Sequence, residues 1–208
     1  MTIRPNEIPK LRGFLANEYM EYELLHNHLP DGKFNFKFPK IQYRIINSHP
    51  ALIAVKEGVD VILDIFLGVN KIKFEDKVFI VNKREIYVKE YDFGQAEQYF
   101  TYKFLTPWMA LNEINYRKYI KMGEPEKQTF LKSILRGNLL TLAKGFDYTI
   151  PDFENIKVEG FFTPMKVNFK NLRMICFKGE FMTNFHIPNY LGLGKQSARG
   201  FGTVKRVR

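Results

Sequence analysis

The stretch richest in groups that can do chemistry is Gly192-Leu193-Gly194-Lys195-Gln196-Ser197-Ala198-Arg199-Gly200-Phe201-Gly202. Two Gly-x-Gly pairs flank five residues that carry two cations. Glycine lets a backbone take positive φ and lets a second backbone, such as a phosphodiester, approach closely. N–H groups exposed in such a loop form an anion-binding nest, to which Lys195 and Arg199 add charge. The other reactive groups are few. There are four histidines, His26, His28, His49 and His186, and imidazole with its pKa of ~6.5 can both give and take a proton near neutrality. His26-x-His28 has a spacing that can bind metal, but no third soft ligand lies nearby, so no metal is expected. Without further context the pair reads as polar residues at a helix terminus, where a cationic imidazole suits the dipole. His49 falls in an expected hairpin turn. The one cysteine, Cys176, sits in the apolar run Met174–Phe177, which reads as inert core and excludes both a disulfide framework and a cysteine-based zinc site.

Charge supplies the second constraint. The 208 residues carry 32 Lys+Arg against 22 Asp+Glu, a net +10, and the excess is concentrated. Residues 32–56 hold Lys33, Lys37, Lys40, Arg44 and Lys56 with no acid; residues 181–208 hold Lys195, Arg199, Lys205, Arg206 and Arg208 with no acid. Two acid-free basic stretches suit a polyphosphate partner, because each bound phosphate needs an uncompensated cation. With 15% aromatic residues interleaved, nucleic acid is the partner this pattern favours. Known phosphate motifs do not fit the glycine stretch. A Walker loop needs Gly-Lys-Ser/Thr leading into a helix. The dinucleotide fingerprint needs a strand–turn–helix unit with a downstream acid. Arg199-Gly200-Phe201-Gly202 matches only the opening of the main ribonucleoprotein motif, since Thr203 and Arg206 stand where aromatics belong. The 45% hydrophobic content excludes a disordered chain. No apolar run approaches the ~18 residues of a membrane span, and Met1–Pro5 lacks a signal-peptide core. A basic cytoplasmic protein with no membrane partner is expected.

Elements that could position these groups follow from hydrophobic periodicity. Residues 1–4 read as an edge strand. Ile8, Leu11, Leu15 and Tyr22 predict a helix ending before His26. Leu29-Pro30-Asp31-Gly32 is a turn signal. Ile41–Asn47 and Ala51–Val55 predict a hairpin joined by Ser48-His49-Pro50. Val59, Ile62, Leu63, Phe66 and Leu67 form a helical stripe. Val78–Val81 and Glu85–Tyr91 close a βαββαβ plan, the ferredoxin-like order shared by RNA-recognition domains. After Asp92 the pattern restarts: a strand over Tyr99–Leu105, a short irregular helix within 108–121, and a strong helix opened by Pro125 and stopped by Gly145. Strand-like runs follow at Ile156–Phe162, Met165–Phe169 and Leu172–Phe185. The expected class is α+β, two ferredoxin-like halves at residues 1–92 and 93–208. The second half is less regular and ends in the glycine-rich loop.

Gly192-x-Gly194-x5-Gly200-x-Gly202, at the end of a second ferredoxin-like half, resembles the glycine-rich signature of the RAMP superfamily of CRISPR proteins. Lys10-Leu11-Arg12-Gly13-Phe14, His26-Asn27-His28, Tyr43 and Pro107-Trp108-Met109-Ala110-Leu111-Asn112 resemble its processing endoribonuclease branch, which cuts CRISPR precursor RNA within the repeats. The resemblance covers nearly the whole chain.

It implies an endoribonuclease that works without metal or cofactor. One group deprotonates a 2′-hydroxyl, another protonates the departing 5′-oxygen, and a cation or donor stabilises the phosphorane. The products are a 2′,3′-cyclic phosphate and a 5′-hydroxyl. By this resemblance His28 and His26 are the catalytic pair, or one histidine acts with Tyr43 or Lys40; Tyr43 positions the scissile phosphate, and Lys40 and Arg44 stabilise its charge. RNA contacts fall to Arg44, Gly192, Gly194, Lys195, Ser197, Arg199, Gly200, Gly202, Lys205 and Arg206, around a cleft between the halves. The implied partners are CRISPR repeat RNA, an interference complex that receives the cut product, and, as in some relatives, a second copy in a homodimer. Two rivals stand beside this reading. A non-catalytic RAMP subunit would share the fold and loop and differ only at His26 and His28. An RNA-recognition-like binder would use aromatics on an open sheet and give the loop no role.

Overall fold

The structure is a computed structural model that describes residues 4–26, 38–74, 77–169 and 172–207. The expected edge strand at 1–4 therefore lies almost wholly, and the Pro-Asp-Gly turn wholly, outside the described residues. The chain forms two compact units, Met1–Glu90 with Ala198–Gly200, and Tyr91–Ser197 with Phe201–Arg208.

In the first unit, Pro9 stands near the start of α1 (Ile8–Glu18), whose Ile8, Leu11 and Leu15 enter the core at 4%, 2% and 1% exposure. The single helix expected to run almost to His26 is two. α1 ends where Tyr19 leaves helical geometry at φ −127°, ψ 60°. A new turn, α2 (Glu23–His26), follows. β1 (Ile41–Ile46) and β2 (His49–Ala54) pair antiparallel, with Ile41 opposite Ala54 and Ile46 opposite His49. The connection is shorter than the three residues expected. Asn47 and Ser48 take φ 50° and 65°, the positive pair of a two-residue primed turn whose twist matches that of the strands. His49 and Pro50 accordingly belong to β2.

α3 (Gly58–Phe66) forms where its apolar stripe predicts, but it is rotated. Gly58, Val61 and Ile65 face inward, while Leu63 and Leu67 are 50% and 75% exposed. The cause is Gly58, which lies so close to β1 that a methyl there would be 2.6 Å from the Lys40 carbonyl oxygen. That contact sets the buried face. β3 (Lys71–Phe74) pairs antiparallel with β4 (Lys77–Ile80), Ile72 and Phe74 pointing in. The strand expected at Glu85–Tyr91 is absent, and residues 81–93 lack regular structure. Tyr87 and Val88 there are 76% and 79% exposed, so these apolar side chains find no core to pack against among the described residues.

The second unit is one four-stranded antiparallel sheet in the order β6-β7-β5-β8. Its strands are β5 (Gly94–Phe104), β6 (Val158–Phe169), β7 (Leu172–His186) and β8 (Val204–Arg206). The last strand lies beside the first, as in a ferredoxin-like unit, and the glycine-rich segment occupies the place in the chain of that fold's second helix. β6 crosses Thr163-Pro164 without a break, where two separate runs were expected. It is an edge strand, and there Pro164 removes no ladder donor that the sheet needs. α4 (Glu113–Tyr119) starts at Asn112, whose side chain accepts from the Asn115 N–H at 2.7 Å. α5 (Glu124–Gly145) buries Leu131, Leu135, Leu139 and Leu142 completely. Phe100, Tyr102 and Phe104 of β5 are all buried, Tyr102 and Phe104 stacked against Phe181 and Trp108 respectively. The architecture is α+β, as the residue pattern predicts.

Candidate active site

α2 is a single turn, too short to satisfy its own last carbonyls. Side chains from two other elements do so. The Arg12 guanidinium, from α1, donates to the His26 carbonyl. The Tyr43 hydroxyl, from β1, donates to the Leu25 carbonyl at 3.5 Å. Both donors spring from anchored backbone, since Leu11 and Tyr43 are 2% and 1% exposed. The His26 backbone is thus held at the end of α2. Its Nε2 is buried and has no hydrogen-bond partner among the described residues. A buried imidazole nitrogen left unpaired is costly in a protein's interior, and such atoms concentrate where a ligand or catalytic role supplies the partner. His28 lies outside the described residues.

The chain returns to this corner through the glycine-rich segment. Gly194, Gly200 and Gly202 take φ 80°, 90° and 61°, the region that L side chains avoid. A methyl on Gly200 would sit 2.5 Å from Ile8 Cδ1 of α1 and 3.6 Å from the Tyr43 carbonyl. Its neighbour Arg199 stands close enough to Arg12 for the two positive charges to interact. Burial first, and this repulsion second, lower the Arg12 pKa, with Tyr43 opposing. Burial lowers that of Arg199 too. The other glycines act within the second unit. A methyl on Gly194 would fall 2.6 Å from Trp108 Nε1, and Gly192 bridges Thr203.

Three N–H groups of this loop are paired within the protein. The N–H groups of Leu193, Lys195 and Gly202 donate to the carbonyls of Gly202, Met109 and Pro107 at 2.9, 3.0 and 2.9 Å. Side chains add to the groups that the loop can offer a phosphate. Lys195 is exposed, Arg199 half-buried, and Ser197 buried at 6%. These contacts also show what the Pro107–Asn112 and Lys10–Phe14 segments do: the first supports the loop at Gly194 and Gly202, and the second contributes Arg12.

The remaining expected residues take varied positions. Tyr43 is buried, and burial raises its phenol pKa above the usual range despite Arg12, so the hydroxyl stays protonated and acts as a donor. Lys40, with a side chain 12% exposed, lies 3.3 Å from the Glu57 carboxylate. Arg44, expected among the RNA contacts, is 1% exposed. It donates to the Tyr43 carbonyl at 2.8 Å and to Gln42 Oε1, and burial pushes its pKa down. Lys205 and Arg206 are exposed on β8. The Lys205 Nζ lies 5.8 Å from the Tyr190 ring centre, and the Arg206 guanidinium 4.4 Å from that of Phe100. Arg12 was not among the residues expected to act. The signal for it is a cation adjoining the Ile8/Leu11/Leu15 stripe of α1, which alone does not distinguish it from a solvated helix residue. Among the described residues no group of three or more His, Cys, Asp or Glu could hold a metal ion, and no helix is long and apolar enough to cross a membrane.

Comparison with known proteins gives this geometry its context. The Cas6b N-terminal domain matches residues 1–92, and the Cas6b C-terminal domain residues 94–207. The protein MJ0978 of Methanocaldococcus jannaschii is 40% identical over 145 residues, which are 69% of this chain and 97% of that protein. A crystal structure of Cas6b superimposes with a TM-score of 0.93 at 34% identity, over 100% of this chain and 94% of the other. A crystal structure of the CRISPR RNA processing endoribonuclease Cas6b superimposes at 0.74 with 32% identity, again over 100% and 94%. With both halves matched in order along nearly its whole length, the chain belongs to the Cas6b family of CRISPR repeat-processing RAMP proteins.

Proposed function

We propose that this chain is a metal-independent endoribonuclease that cleaves CRISPR precursor RNA within its repeats. Membership of a CRISPR RNA-processing family supports the activity. The observation that carries the site is the buried Nε2 of His26, without a hydrogen-bond partner among the described residues, on a residue whose own carbonyl accepts from Arg12. In this reading the 2′-oxygen forms a bond to the adjacent phosphorus while its proton passes to one imidazole. The bond from phosphorus to the 5′-oxygen breaks, and a second group, the other imidazole of the His26/His28 pair, protonates that oxygen. A 2′,3′-cyclic phosphate and a 5′-hydroxyl result, with no net change in atoms or electrons. Tyr43 serves as a protonated donor that positions the pair, and the cations of the glycine segment offset the phosphorane charge. The residue 1–92 domain supplies the histidines and the 93–208 domain the glycine-rich loop, and the cut RNA passes to an interference complex.

The test is to incubate the protein in EDTA with a CRISPR repeat RNA from its source, and with the same RNA carrying one 2′-deoxy substitution at each candidate site. A single cut, blocked by one deoxy position and slowed about 100- to 10,000-fold in His26→Ala or His28→Ala, is expected. Cleavage that EDTA abolishes would overturn the mechanism. Tight binding without cleavage would leave a non-catalytic RNA-binding subunit.

A further inference from the structure

Arg12 lies in the first half of α1. Its guanidinium reaches away from its own helix to the carbonyl that ends α2. A one-turn helix has almost no cooperative stability of its own. Basic side chains at a helix C-terminus both satisfy its last carbonyls and suit its dipole. Here the cap comes from a residue one position after Leu11, which is 2% exposed, so the side chain that supplies it springs from backbone held against the core. Tyr43 holds the preceding carbonyl, that of Leu25. Two consecutive peptide groups on either side of the His26 Cα are thereby tied to α1 and β1, and the ring between them has a buried nitrogen without a partner among the described residues.

We propose that Arg12 is a positioning residue for the cleavage reaction, fixing the His26 imidazole through its hydrogen bond to the His26 carbonyl. This rests on the nuclease reading above. Arg199 completes the arrangement. It belongs to the same unit, is held by Gly200 against Ile8 and Tyr43, and brings a second positive charge near the first. The Arg199 guanidinium offers a charge-assisted donor to a phosphate of the RNA. Arg199 therefore contributes to holding RNA. Arg12 contributes chiefly to the rate once RNA is held, because proton transfer depends on sub-ångström placement of the imidazole.

The experiment compares wild type, Arg12→Lys, Arg12→Ala and Arg199→Ala. The readouts are the single-turnover rate at saturating repeat RNA, the affinity for the 2′-deoxy RNA, and the His26 ring resonances by NMR without RNA. The resonances are assigned with His26→Gln. Arg12→Lys keeps the charge and removes the fixed fork. Its saturated rate is expected to fall about tenfold or more while its affinity stays within about threefold. The His26 resonances are expected to shift, with those of His49 and His186 unchanged. Arg199→Ala is expected to weaken affinity with the smaller change in saturated rate. If Arg12→Ala fails to fold, Arg12→Lys alone decides. Unmoved His26 resonances, or an unchanged saturated rate with weakened affinity, would overturn the proposal and make Arg12 a plain phosphate contact. A wild type that binds RNA but does not cut it would retire the nuclease reading, while a shifted His26 ring in Arg12→Lys would still establish the hold.

Discussion

Replacing Gly202 and Gly137 by alanine makes the same chemical change at two backbone positions and is expected to move stability in opposite directions. Gly202 sits at φ 61°, and an added methyl would run into the Leu193 carbonyl, a backbone atom that cannot swing aside. The left-handed conformation costs alanine about 1–2 kcal/mol. Relieving the clash also disturbs the bonds from the Leu193 N–H to the Gly202 carbonyl and from the Gly202 N–H to the Pro107 carbonyl, both 2.9 Å, at about 1 kcal/mol each. The total is about 3–4 kcal/mol. Gly137 lies in the middle of α5, and a methyl there meets nothing within 4 Å. In that helical position alanine is favoured by about 0.5–1 kcal/mol. Urea unfolding followed by circular dichroism measures both. At about 2–4 °C per kcal/mol for a chain of this size, the melting temperatures should separate clearly on either side of wild type. A Gly202→Ala protein within about 0.5 kcal/mol of wild type, or a destabilised Gly137→Ala, would refute the geometric argument.

Burial raises the Cys176 thiol to about 11. Alkylation of the folded protein at pH 8 should therefore be far slower than in denaturant, as measured by mass spectrometry. Because the folded-state pKa lies above the unfolded value of 9.0, this group's contribution to stability is intact below about pH 9 and is lost as pH rises through 11. Cys176→Ala should lack that part of the alkaline decline in urea midpoint. Lys205→Ala and Arg206→Ala should each flatten the slope of log affinity for repeat RNA against log salt by about one, by filter binding. On α3, Ile65→Ala should cost about 2–5 kcal/mol in urea unfolding. Leu67→Gln, at a residue 75% exposed, should stay within about 0.5 kcal/mol; the reverse order would mean that the helix presents the other face.

Local signals carried much of the fold. Pro125 and Gly145 bracket α5, and the alternation of Phe100, Tyr102 and Phe104 marks the buried face of β5, because caps and period-two burial depend on adjacent residues. The α+β class and the CRISPR repeat-processing family were legible for the same reason: the two Gly-x-Gly pairs, their spacing and the segments that support them are properties of the chain in order. Rotation and pairing were not legible. The stripe Val59–Leu67 cannot reveal that Gly58 will press against the Lys40 carbonyl and turn Leu63 and Leu67 outward. Lys71–Phe74 gains strand geometry only from its partner Lys77–Ile80, whereas Glu85–Tyr91, with the stronger strand composition, finds none. At the candidate site the order of residues sets which side chains are present to do the chemistry: four histidines, acid-free runs of cations, and glycines that admit close backbone approach. Which of them meet is set by packing. Packing ties up the N–H groups of Leu193, Lys195 and Gly202, buries Arg44 and draws Arg12 and Tyr43 onto the end of α2. Such contacts depend on helices and strands far apart in sequence packing at one place, and no local pattern of residues specifies that.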